Sequence, residues 1–239
     1  MPTTALHKLA SHPGPCALAE SQSAKTPVLV LCDDLWHPAE IVRQGLAPQD
    51  DHGFDFVFLA DGGSWSASLM KAYPLVILAK SNVISAHNKN PWLTAESQAE
   101  FKDWLQPGNG LLVLHSGTSG YQDLAVMRGL TGGFFLQHPD QCPVDILPRD
   151  GHPLTVGVSP FTVPDEHYFM SLDDDQADVF LQSRSPSGLQ PAGWTRLAGR
   201  GRVCVLTPGH NLAVWLHPLF QTILGNALRW TAGHPEVAA

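Results

Sequence analysis

The stretch at residues 110–120, GLLVLHSGTSG, constrains the fold more than any other. An uninterrupted apolar run passes straight into His115, Ser116 and Gly117, and more small residues and then a helix follow. A strand that is apolar on both faces has no solvent side. It belongs inside a parallel sheet covered by helices on both faces. At its carboxyl end such a strand delivers polar side chains to the edge where open α/β sheets bind ligands.

The rest of the chain repeats this grammar. Residues 28–32 (VLVLC), 75–79 (LVILA) and 203–206 (VCVL) read as further buried strands, and residues 54–60 (FDFVFLA) as a strand with some alternation. Helices are expected at 38–45, with Pro38 in the first turn, and at 64–72, capped by Ser64. Another is expected at 94–106, where Thr94 caps, Ala99, Phe101, Trp104 and Leu105 form the apolar side, and Pro107–Gly108 stop the helix. A last helix at 217–230 packs through Phe220, Ile223, Leu224, Ala227 and Leu228. Strand and helix in alternation imply right-handed crossovers and an α/β fold with a mainly parallel sheet. The second half is less regular. Residues 144–147 read as a further strand, 161–163 lead into Asp165 and Glu166, 179–181 and 192–196 suit a mixed or antiparallel part, and GGFFLQHP places His138 in a loop or at a strand end.

Of the 239 residues, 44% are hydrophobic, enough to fill one core, so residues 27–239 are expected to form a single domain. Residues 1–26 read as a loose leader, lacking the apolar centre of a signal peptide. No apolar run is long enough for a membrane span, and a cytoplasmic protein with no membrane partner is expected. The formal net charge of -8 and the absence of a Lys/Arg cluster argue against a nucleic-acid partner. The cysteines form no CxxC pair, and Cys32 and Cys204 sit in apolar runs as buried thiols.

Three apolar strands end in histidine-bearing turns: VLVLC leads to Asp34 and His37, LLVL to His115 and Ser116, and VCVL to His210. In a parallel sheet these ends share one edge, so distant residues meet in one cleft. Glu166 and His138 are further candidates that strand pattern alone does not place. Asp34 either caps the helix after it or contacts substrate. Trp36 and Trp92 either pack in the core or offer an apolar stacking face to a ligand. Phosphate-loop, GxGxxG, HExxH and GxSxG motifs are absent. Any metal site must therefore be assembled from distant segments.

An ordered set of short patterns resembles the ThuA-like, or trehalose-utilisation, family. The set is VLHSG at 113–117, Glu166 with Tyr168, GRV at 201–203, PGH at 208–210 and NALRW at 226–230, with DDLWH at 33–37 and His152–Pro153 as further matches. The resemblance covers residues 28–233. It implies a flavodoxin-like three-layer sandwich of the class I glutamine amidotransferase type. Amidotransferases carry a cysteine nucleophile at the elbow after a central strand, and a histidine closely followed by glutamate after a later strand. Here the elbow carries His115 and Ser116, and His210 is followed by Asn211, so a glutaminase is not expected. The ThuA-like pattern also carries histidines after the third strand, where only His87 is available here.

The resemblance implies carbohydrate metabolism, with a disaccharide or keto-sugar as small-molecule partner. In the enzyme reading, His37, His115, His210 and Glu166 bind a divalent metal, zinc being the best match, for hydrolysis or isomerisation. Without metal, His115 and His210, with Glu166, act as acid and base. Asp34, Trp36 and His138 are the expected substrate contacts. A second reading is a non-catalytic binding or regulatory protein on the same scaffold. A third is an esterase-like enzyme with Ser116 as nucleophile. Self-association is expected by analogy with the scaffold.

Overall fold

The computed structural model describes residues 25–173 and 175–234. The expected leader lies outside them except for Lys25 and Thr26, and Thr26 already opens the first strand. Asp174 lies outside them too, while Asp173 next to it pairs with Arg128.

The first half alternates as expected. Strand β1 (Thr26–Cys32) leads to α1 (Ala39–Leu46), β2 (Phe54–Leu59) to α2 (Ala67–Met70), β3 (Leu75–Ala79) to α3 (Ala99–Leu105), and β4 (Gly110–Leu114) to α4 (Ala125–Thr131). Then come β5 (Gly133–Gln137), β6 (Cys142–Pro148), β7 (Phe161–Asp165), β8 (Phe169–Leu172), β9 (Asp178–Ser185), β10 (Gly188–Ala198) and β11 (Gly201–Leu206). Helices α5 (Leu212–Trp215) and α6 (Pro218–Thr231) close the chain.

Nine strands form one sheet in the order β2-β1-β3-β4-β11-β10-β9-β6-β7, and β5 and β8 pair separately. From β2 to β11 neighbouring strands are parallel; from β11 to β7 they are antiparallel. Alternate residues of each central strand feed opposite faces. Val28, Val30, Leu112, Leu114, Cys204 and Leu206 pack with α1, α5 and α6. Leu29, Leu31, Leu111, Val113, Val203 and Val205 pack with α3 and α4. Each such side chain contributes roughly 1.5–3 kcal/mol on leaving water, so this two-sided burial holds the three layers together. It also seals Cys32 and Cys204 in the core and pushes the Cys32 thiol up to about 11.

Helix starts differ from the expected ones in instructive ways. Helix α3 begins at Ala99 because Thr94 and Ser97 bond each other's backbone N–H in a turn before it. Helix α2 is capped by Ser66, not Ser64, which ends a short turn begun by Asp61. Asp33 accepts from the N–H of Ala39 at the start of α1, leaving Asp34 free of the capping role. The weakly patterned second half resolves into longer strands than expected, for example β9 and β10, because both form antiparallel ladders whose outer residues face water.

The order β2-β1-β3 reverses direction between β1 and β3, which makes the carboxyl end of β1 a topological switch point. The loop after β1, the turn after β4 and the loop after β11 all open on this edge. The turn after β4 lies so close to β3 that a Cβ at residue 117 would stand 2.1 Å from the Leu78 carbonyl oxygen. Glycine is required there by contact, not by dihedral angle. Gly117→Ala is therefore expected to lower stability by about 1–3 kcal/mol through overpacking, measured as a shift in urea midpoint at unchanged slope.

Candidate functional site

Each strand end builds one part of the site. After β1, the Asp34 carboxylate is 1% exposed. Its Oδ1 accepts from the N–H groups of Trp36 and His37 and from His37 Nδ1 at 2.7 Å, and its Oδ2 accepts from the N–H of Ser81 after β3. Burial alone would raise the Asp34 carboxyl, but the donors from His37, Ser81 and Trp36 win and hold it well below the usual carboxylate range. Both oxygens are thus taken by protein donors. The expected substrate contact at Asp34 is replaced by an inward role: it fixes the tautomer of His37. With Nδ1 as donor, the Nε2 lone pair of His37 points away from the carboxylate.

After β4, His115 adopts a left-handed backbone, φ 44°. Such a conformation is costly for a residue with a Cβ. It turns the ring back over the sheet edge, where Nδ1 meets the Thr207 carbonyl at 2.7 Å. A carbonyl only accepts, so Nδ1 of His115 is the donor and Nε2 is the nitrogen turned toward Glu166. The ring stacks on Tyr168, with centroids 4.0 Å apart. Glu166, just beyond β7, places Oε2 3.4 Å from His115 Nε2 and 3.1 Å from His210 Nδ1.

These are ion-pair distances, but the angles do not make hydrogen bonds. His115 Nε2, His210 Nδ1 and His37 Nε2 are all buried without a hydrogen-bond partner. The His37 ring lies 4.9 Å from that of His115 and 5.1 Å from that of His210. One ligand atom from each of His37, His115, Glu166 and His210 falls within 4.8 Å of all the others. Atoms sharing one zinc ion at about 2.0–2.2 Å stand roughly 3.3–3.6 Å apart in a tetrahedron, close to the two Glu166 separations.

Protonation follows from the surroundings. Burial pushes the His37 imidazole down and keeps it neutral, with His115 and His210 opposing the pull of Asp34. Burial would raise Glu166, but the two imidazoles facing it draw it well below its ordinary value. Glu166 in turn raises His210. Asp165, wholly buried, is raised by burial against the N–H groups that it accepts.

The other expected residues separate. His138 stands at the rim, its Nε2 3.6 Å from Glu166 Oε1 and its ring stacked on Tyr168. Trp36 is 62% exposed beside His37, whereas Trp92 is buried and donates to the Tyr121 hydroxyl. Of the two tryptophans, only Trp36 is placed to meet a ligand. Ser116 is 2% exposed and no described imidazole bonds its hydroxyl, so the nucleophile expected there lacks a base. It lines a cavity of about 10 Å³ behind the histidines, room for about one water. His87 is exposed and outside the cluster. His152 accepts from the Leu154 N–H and faces Asp178, a local structural role. Asn211 donates to the Pro164 carbonyl and to Gln141, so its amide ties loop to strand. Asp165 is not among the sequence-based candidates, because its partners, the Gly209 and His210 amides, lie 44 and 45 residues away and leave no local signal.

The fold and site together define a flavodoxin-like α/β protein with a three-histidine, one-glutamate cluster at its sheet edge. The chain belongs to the ThuA family, trehalose utilisation, which matches residues 33–231. Among solved structures it is similar to a ThuA-like protein of Parabacteroides merdae, with TM-score 0.73, 17% identity, and coverage of 90% of this chain and 93% of that one. A ThuA-like protein of Bacteroides uniformis gives TM-score 0.65 at 17% identity, covering 91% and 95%. A cold-adapted β-galactosidase of Rahnella gives TM-score 0.62 at 13% identity, covering 89% of this chain but 32% of that one. No curated protein sequence gives a significant match. Among the described residues, no helix is long and apolar enough to cross a membrane.

The charged pair Glu166–His210 makes a pH prediction for the metal-free protein. A lowered Glu166 contributes stability above its ordinary 4.5, lost as pH falls through its folded value. A raised His210 contributes stability below its ordinary 6.5, lost as pH rises through its folded value. The stability difference between wild type and Glu166→Gln is expected to be largest between these two pH values and to shrink above them. An NMR titration should find His210 above 6.5 in wild type and lower in Glu166→Gln.

Proposed function

We propose that the protein is a metal-dependent enzyme of carbohydrate metabolism that hydrolyses or isomerises a small sugar, a disaccharide or keto-sugar. Membership of the trehalose-utilisation family supports the sugar association. The observation that carries the metal is the convergence of three buried imidazole nitrogens, none of them in a hydrogen bond, around one carboxylate. Unpaired buried polar atoms are costly, and a cluster of them calls for a partner that hydrogen bonding does not supply.

The donor set fits a divalent cation. His37 Nε2, His115 Nε2, His210 Nδ1 and the Glu166 carboxylate would hold it, and imidazole with carboxylate suits zinc. When bound, the ion supplies Lewis-acid polarisation of a sugar oxygen. The chain supplies the rest. Asp34 and the Thr207 carbonyl keep His37 and His115 in the tautomers that present Nε2. His138 donates Nδ1–H to the Pro139 carbonyl and sets Nε2 beside Glu166 at the rim, where it would meet a sugar hydroxyl. The exposed Trp36 indole offers an apolar face on which a pyranose ring stacks. A cytoplasmic location accords with the description of a structural neighbour from Salmonella typhimurium as a cytoplasmic protein.

Elemental analysis and calorimetric titration of chelator-treated protein test the reading. One equivalent of zinc per chain is expected, with affinity weakened in His115→Ala, which removes one of the four ligand residues, and by about 10–100-fold in Asp34→Asn. Turnover of oxidised and unoxidised disaccharides should require the metal, and Trp36→Ala should raise KM more than it lowers kcat. Wild-type protein that binds no zinc, or full turnover by His115→Ala, would sink the proposal. Sugar binding without turnover would favour the non-catalytic reading.

A further inference from the structure

We infer that Asp165 is a positioning residue for this site, holding His210 in place through the backbone of the loop that carries it; the inference rests on the metal-binding reading above. Asp165 is 1% exposed at the end of β7. Its Oδ2 accepts from the Gly209 N–H at 2.9 Å and its Oδ1 from the His210 N–H at 3.0 Å. Each oxygen therefore pins one of two consecutive amides immediately before the His210 side chain.

The constraint is tight because the loop packs closely against the His115 segment. Gly209 has φ 147°, and a Cβ there would come 3.2 Å from the His115 Cβ. The two histidine-bearing segments thus touch at a glycine. On the far side, Asn211 donates to the Pro164 carbonyl and fastens the same loop to the same strand. In strand order β7 lies four positions from β11, roughly 19 Å away if the sheet were flat. The antiparallel extension must curl back over the edge, and Asp165 is the group that receives the β11 loop when it does. Consecutive residues of one strand end then serve two ligands: Glu166 directly, His210 through Asp165.

A carboxylate suits this role because it has two acceptor oxygens and no donor. Asparagine at 165 sets an N–H₂ against one of the two amides. Asp165→Asn is expected to weaken zinc binding by about 10–100-fold, as loss of a group that orients a ligand does elsewhere. The dissociation constant would be measured by competition with a chelator in wild type, Asp165→Asn, His210→Ala and the double variant. His210→Ala keeps three of the four ligand residues, so binding is still measurable. If Asp165 acts through His210, its substitution has little further effect in the His210→Ala background. An equal loss in both backgrounds shows a merely structural role and overturns the inference, as does wild-type affinity in Asp165→Asn. Should Asp165→Asn fail to fold, Asp165→Ser removes the carboxylate and leaves space for water at the amides, and the same cycle is read. Failure of the wild type itself to bind zinc overturns the metal reading and this inference with it.

Discussion

An imidazole nitrogen buried with no hydrogen-bond partner costs free energy, and this protein holds three of them against one carboxylate. The arrangement persists because the other nitrogen of two rings is firmly engaged. Asp34 takes His37 and the Thr207 carbonyl takes His115, so neither ring is able to flip and satisfy its free nitrogen without abandoning a bond of 2.7 Å. Burial reinforces this by keeping His37 neutral. The electrostatic frustration at the sheet edge is thus imposed by groups one layer behind it.

The elbow after β4 shows the same logic in the backbone. A left-handed His115 is strained by about 1–3 kcal/mol, and the surrounding packing must offset it. Gly117 allows the turn to press against β3, and the Thr207 carbonyl and Tyr168 ring clamp the side chain from two sides. The resemblance to amidotransferases implies a nucleophile at this position. Here it supplies an imidazole to a cluster, while Ser116 beside it turns into the interior.

The third contribution comes from the irregular half of the chain. Strands β6 and β7 extend the sheet in antiparallel fashion and bring Asp165 and Glu166 to the edge made by the parallel strands. The Asn211 amide fastens this closure through the Pro164 carbonyl and Gln141.

The parallel core was legible in the residues because strands buried on both faces leave continuous apolar runs, and 28–32, 75–79, 110–114 and 203–206 are such runs. Their shared edge, and with it the neighbourhood of His37, His115 and His210, followed from that pattern alone. Glu166 is a candidate by residue type and by resemblance, but strand pattern does not place it, since nothing in DEHY separates a half-buried carboxylate from a surface one. The antiparallel strands were only partly visible, because their alternating residues mix with loop composition. What tertiary structure alone decided is direction: Asp34 inward to His37, Trp36 outward to solvent, Ser116 into the core, Asp165 under the His210 loop. Side-chain direction at a strand end depends on which neighbour offers a donor, an acceptor or a packing surface. Apart from His37, three residues from Asp34, the deciding neighbours lie some tens of residues away, Ser81 for Asp34 and the Gly209–His210 amides for Asp165, so the local sequence carries no record of them.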